Sequence, residues 1–223
     1  MNRRKKSPFL ALFVAAAMLT GCAGTTPMPY AGLPSSPHLR ANANDDAADA
    51  DRIPYRYDTP TRWEDYQAVI LDPVAVYRGP DNQFEDVTEE EKNELAKYME
   101  AEFRKALATR FTVTSAPGPR TLRVALTLTG AKTNTAVVST VTRFDLLGGP
   151  ANVVQSIRGK EGLFIGSISY AADIRDASDN RLLKAYVAKQ YPNALNVGAT
   201  FGRLAAARTG ADKGAEDLLA QMR

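Results

Sequence analysis

The chain has one cysteine, Cys22, and one histidine, His38, in 223 residues. No intramolecular disulfide can form from a single thiol. A Ser-His-Asp triad, a His-Glu-x-x-His zinc site and a His/Cys metal cluster all lack their base or ligands. What composition leaves open is carboxylate chemistry or a Ser-Lys pair. The sequence also lacks an apolar run of transmembrane length: the longest charge-free apolar stretch, Pro8 to Leu19, spans about a dozen residues, and a membrane helix needs about 20. A surplus of one charge is missing as well. The formal charge of +3 comes from 28 basic against 25 acidic residues, and Arg3, Arg4, Lys5 and Lys6 account for it; without residues 1–21 the count is 24 against 25. The remaining cations are scattered, with no basic stripe or stacking platform, and nucleic-acid binding is not expected.

What is present begins at the amino end. A cationic cluster, the short apolar run and then Leu19-Thr20-Gly21-Cys22 follow in that order. The cluster and run form the n-region and h-region of a secretory signal. The four residues ending at Cys22 resemble the lipobox of bacterial lipoprotein precursors. The resemblance implies cleavage between Gly21 and Cys22, a diacylglycerol on the sulfur and acylation, palmitate included, of the new amino group. It further implies, from the non-aspartate Ala23, residence at the outer membrane with the domain facing the periplasm. Two or three acyl chains at about 0.8 kcal/mol per buried methylene make such an anchor stable.

Residues 22–60 are rich in Pro, Ala, Ser, Asn and Asp without a sustained period, a composition expected to form a flexible tether, with Ile53 to Tyr57 able to dock. Residues 61–223 suit one domain with one core. Tyr66 to Tyr77 reads as a strand interrupted by Pro73. Thr88 with Glu91 is a capping box opening an amphipathic helix whose apolar face is Leu95, Tyr98, Met99, Phe103, Ala106 and Leu107. Phe111–Thr114 and Leu122–Thr129 read as strands, the second with clear alternation. Leu163 to Ile174 and Leu182 to Gln190 form a hairpin across Asp176–Asn180. Two helical stretches, 198–206 and 212–222, are broken at Thr209-Gly210. The expected architecture is α+β: a single two-layer domain, a mainly antiparallel sheet with helices packed on one face.

Several phrases of this domain, Trp63-Glu64-Asp65-Tyr66, Leu71-Asp72-Pro73-Val74, Ala116-Pro117-Gly118-Pro119 and Asp173-Ile174-Arg175-Asp176, resemble the bacterial lipoproteins grouped as domain of unknown function 3313. The resemblance covers roughly residues 65–222. It implies an exported lipoprotein and supplies no catalytic residues. Gly148-Gly149-Pro150 is a loop that departs from the family pattern.

Local candidates for chemistry have simpler explanations. Asp173, Asp176, Asp179 and Asn180 could offer oxygens to calcium, but Asp and Asn between two strands stabilise a turn. Asp86 with Glu89, Glu90 and Glu91 could serve glycan cleavage, but acids at a helix start favour the dipole. Gly130-Ala131-Lys132 and Gly159-Lys160-Glu161-Gly162 lack phosphate-loop spacing. Tyr55, Tyr57, Trp63 and Tyr66 could form an aromatic ligand surface, though aromatics beside a first strand usually fill a core. The expectation is a non-enzymatic interaction or assembly module, without cofactor or metal, held to a membrane through Cys22 and meeting an envelope protein. The alternatives are a lipid- or glycan-binding domain with an apolar pocket, or a carboxylate-dependent envelope hydrolase.

Overall fold

The computed structural model describes residues 26–43, 47–134, 166–193, 196, 199 and 202–223. Gly21, Cys22, Gly148-Gly149-Pro150 and Gly159–Gly162 lie outside them. In chain order the elements are β1 (Arg40–Ala41), α1 (Ala47–Arg52), β2 (Tyr55–Asp58), β3 (Ala68–Leu71), β4 (Ala75–Val76), β5 (Gln83–Phe84), α2 (Glu89–Ala108), β6 (Thr112–Val113), β7 (Thr121–Lys132), β8 (Ser167–Asp176), β9 (Leu182–Gln190) and α3 (Ala205–Ala220). They build one sheet in the order β1-β2-β9-β8-β7-β3-β6, with β4 and β5 also on β7. The long ladders, β7 with β8 and β8 with β9, are antiparallel, as are the β9–β2 and β2–β1 pairs. Short parallel strands β3, β4 and β5 succeed one another along the other side of β7. The α+β expectation holds, with this parallel flank added.

Pro73 explains the flank. Having no N–H, it ends β3 just after Asp72 N bonds Val124 O (3.0 Å), and the ladder to β7 resumes at β4 and runs on to Tyr77 N, which bonds Leu128 O (2.8 Å). Thr88 forms the expected capping box: its Oγ1 accepts from Glu91 N while Glu91 Oε2 accepts from Thr88 N. Leu95, Met99, Phe103 and Leu107 of α2 are fully buried on one face of the sheet, against Leu122, Val124, Leu126, Leu128, Ile168 and Tyr170. Each such side chain contributes about 1.5–3 kcal/mol of burial.

Helix α3 packs on the same face and corrects one expectation. Thr209-Gly210 does not break it; the helix is continuous from Ala205 to Ala220. A Cβ on Gly210 would lie 2.8 Å from Gln190 O and from Ile168 Cγ2, and one on Gly214 would lie 2.7 Å from the Tyr170 hydroxyl. These glycines are there for close approach to the sheet.

Within the expected tether over residues 22–60, described residues from Thr26 onward make contact with the domain. Tyr30, Leu33 and Leu39 are buried on the opposite face of the sheet with Tyr77, Ala171, Ala185 and Val187, a second, smaller apolar cluster. Tyr30 and Tyr77 meet edge to face at 5.4 Å. Ala31 N bonds Asp81 Oδ2 (2.9 Å) and Gly32 N bonds the Tyr77 hydroxyl (3.0 Å). β1 and β2 then extend the sheet, so the packed unit begins well before residue 61. Composition alone misjudges this segment because the apolar partner surface is supplied by distant strands.

Candidate functional site

An open cleft of about 320 Å³ lies where the β8–β9 turn meets the entries to β3 and β7. Arg62, Arg120 and Arg181 line it together with Asp65, Tyr66 and Asp176. Each is delivered by a different local structure. Arg62 precedes the 3₁₀ turn Trp63–Asp65 and lies 3.4 Å from Glu64 and 3.6 Å from Asp65. Arg120 ends the Ala116–Pro119 turn with φ of 59°, a left-handed conformation costing a non-glycine residue about 1–2 kcal/mol. Bonds on both sides hold it there: Arg120 O accepts from Gln67 N and Ala68 N (2.9 and 3.3 Å), and Arg120 Nε donates to Asp65 O (2.8 Å). No carboxylate pairs with Arg120 among the described residues. Arg181 follows Asn180, whose own φ is 62°, and its Nε lies 3.6 Å from Asp179.

Tyr66 donates to Asp176 Oδ2 at 2.7 Å across the cleft wall. Partial burial and then the Asp176 carboxylate push the Tyr66 hydroxyl up to about 12, so it remains a donor at every physiological pH. Burial works to raise Asp176, but hydrogen bonds from Ser178 Oγ, Ser178 N and Tyr66 outweigh it and hold the carboxyl below the usual range. Asp176 is therefore an acceptor and cannot act as a general acid near neutrality. The cleft is polar, rich in guanidinium and open to solvent, which suits a carboxylate or phosphate group.

The other sequence candidates go to structural roles. Asp176 Oδ1 takes Ser178 N, Asp179 Oδ1 takes Arg181 N, and Asp173 lies 3.3 Å from Arg175: the aspartates build and flank a turn. No group of three or more metal-ligating side chains occurs among the described residues. Asp86 and Glu91 are joined by Arg203, which lies 3.4 Å from the first and 2.8 Å from the second. Burial opposes and Thr133 then Arg203 lower the Asp86 carboxyl, while Arg203 lowers Glu91. Glu89 pairs with Lys92 at 2.7 Å and with Arg78. Trp63 is buried in the main core, and Tyr55 and Tyr57 flank the second cluster. Gly130-Ala131-Lys132 is β7 itself. His38 stands against the Tyr57 ring at 5.3 Å. The three arginines escaped sequence inspection because each lies in a separate, ordinary-looking turn; positive backbone angles at 120 and 180 are a tertiary signal.

These paired carboxylates predict the acid limb of stability. Asp86, Glu91 and Asp176, with Asp81 bonded by Tyr77, have folded pKa values below their unfolded ones near 4. Their contribution is present above that value and is lost as pH falls through the folded pKa. Thermal melts are expected to give a constant Tm from about pH 8 to 5 and a fall below about pH 4. The groups are largely exposed, so each contributes modestly. A fall already complete at pH 5 would contradict the assignment.

No helix of the described residues is long and apolar enough to cross a membrane. No curated protein matches the chain. Among solved structures it is similar to a point variant of the PelC dodecamer from Paraburkholderia phytofirmans, at 6% identity and TM-score 0.41, covering 75% of this chain and 93% of that one. It is also similar to the hypothetical protein CT253 from Chlamydia trachomatis, at 12% identity and TM-score 0.33, covering 70% and 94%. A family model described as "Protein of unknown function (DUF3313)" matches residues 30–218, reaching back to the buried Tyr30 as the packing does. The chain belongs to that family.

Proposed function

We propose that this protein is a lipoprotein of the bacterial envelope, anchored through acyl chains on Cys22 and acting as a non-enzymatic interaction or assembly module. The observation that carries this is the ordered run of cationic cluster, short apolar segment and Leu19-Thr20-Gly21-Cys22. Anchoring confines the domain to a membrane surface and raises its effective concentration toward an envelope partner, so a modest contact area suffices. The arginine-lined cleft supports an anionic contact on that partner. Outer-membrane residence with the domain in the periplasm follows from the lipobox and Ala23 by analogy with other lipoproteins.

The test is fractionation and intact mass. Wild-type protein from its own bacterium is expected to carry acyl chains on a new amino-terminal Cys22 and to stay with membranes through high-salt washing. Cys22→Ser is expected to accumulate as unacylated precursor. If wild-type material has an intact, unacylated amino terminus, the proposal fails. In-cell crosslinking of the acylated form then identifies the partner.

A further inference from the structure

We propose that the domain is held with one end of its sheet toward the bilayer, with Met28 at the lipid surface and the arginine cleft at the opposite end. This rests on acylation of Cys22 proposed above, and it replaces a long flexible leash with a short, directed one.

Three independent observations carry it. First, the chain is fixed within four residues of the anchor. Thr26 O accepts from Gln83 Nε2 at 2.9 Å, and the Tyr30 hydroxyl donates to Gln83 Oε1 at 2.9 Å with its ring buried. Four residues reach at most about 14 Å. Cys22 is therefore confined near Gln83 wherever residues 22–25 turn.

Second, Gln83 marks one end of the sheet. It pairs with Gly130 near the end of β7, whereas the cleft borders Thr121 at its start. Nine residues of strand separate them, about 30 Å at about 3.3 Å per residue. Helix α2 runs the same way, from Glu91, tied through Arg203 to Asp86 and so to Thr133 beyond β7, to Phe111, where the chain enters β6 beside β3. An anchor at the Gln83 end directs the cleft away from the lipid.

Third, Met28 lies between Thr26 and Tyr30 and is 41% exposed, the one exposed large apolar side chain among the described residues. An unbranched thioether beside the acylation site has a place to go: the headgroup boundary.

The mature chain from Cys22 holds three methionines, which form a built-in ruler. Met28 is at the anchored end. Met99 is buried halfway along α2. Met222 is at the far end, its carbonyl bonded by Arg110 next to β6. Mature protein with ¹³C-methyl methionine is coupled through the Cys22 thiol to a maleimide phospholipid in nanodiscs carrying a gadolinium-chelate headgroup lipid. Signals are assigned with Met28→Leu and Met222→Leu. The expected result is loss of the Met28 signal, partial attenuation of Met99 and retention of Met222. Inserting about twenty Gly/Ser residues after Gly24 is expected to restore Met28, since the leash then becomes long and flexible. A retained Met28 signal in the parent chain overturns the proposal, as does attenuation of Met222 equal to or greater than that of Met28, or an insertion that leaves the gradient unchanged. Because the lipid is attached chemically, these outcomes read the seating alone; failure of natural acylation is read separately by the mass of the native protein.

Discussion

Gly210→Val is expected to lower the free energy of unfolding by about 3 kcal/mol in denaturant titration, one of the largest effects available from a single added side chain. On an exposed helix the change would be favourable or neutral, since glycine is the poorer helix former by up to about 1 kcal/mol. Here the sign reverses. The new Cβ alone would lie 2.8 Å from Gln190 O, a backbone atom in β9, and 2.8 Å from Ile168 Cγ2 in β8. Neither can swing aside: Gln190 and Ile168 are fully buried and paired with each other across the ladder. The helix must therefore lift from the sheet, uncovering Ala207, Ala211 and Leu218. Gly210→Ala should destabilise as well, by less. Gly118→Ala is the control: the nearest atom to its Cβ would be Thr121 Oγ1 at 3.7 Å, and the expected change is within about 0.5 kcal/mol. If Gly210→Ala proves more stable than the parent, the close approach of α3 to β8 and β9 is wrong.

Asn134→Ala is the second large effect, again expected at about 3 kcal/mol, from a different cause. Asn134 is buried just beyond β7, and its amide joins three parts of the chain. Its Nδ2 donates to Ala199 O (2.7 Å) and Gly202 O (2.8 Å), while its Oδ1 accepts from Gly166 N (2.9 Å). Gly166 leads into β8 and Gly202 into α3, so one side chain closes the entries to both. Removing it takes the partner from the buried Gly166 N and Ala199 O, each costing about 1–3 kcal/mol unless water enters, while the exposed Gly202 keeps Ala205 N on its carbonyl (3.2 Å). Asn134→Asp should be as harmful near neutral pH, since an ionised carboxylate accepts from Gly166 N but cannot donate to two carbonyls. Hydrogen exchange at Gly166 N should quicken in Asn134→Ala, which removes its acceptor. An Asn134→Ala protein of parental stability would show that the clamp is dispensable.

Both sites show why sequence inspection stops where it does. Gly210 looks like a helix breaker because local propensity is all that a sequence displays; the need for a side-chain-free surface arises only when β8 and β9 lie beneath it. Asn134 carries no motif, and its partners are 32 to 68 positions away. The cleft is similar: Arg62, Arg120 and Arg181 are unremarkable until the β3, β7 and β8–β9 ends converge.

Short-range patterns were readable from the chain alone: alternation in β7, the Thr88–Glu91 cap, the apolar face of α2, the stop at Pro73 and the β8–β9 hairpin. Each depends on neighbours within a few residues, where backbone geometry fixes which side chains meet. The tertiary structure alone decided that Thr26–Leu39 packs against the sheet, that α3 is one helix, and that three arginines share a cleft. Those outcomes depend on surfaces contributed by residues far away in the chain: the Pro-rich segment is ordered because Ala171, Ala185 and Val187 offer an apolar face to Tyr30 and Leu33, offsetting an entropy cost its own composition could not meet.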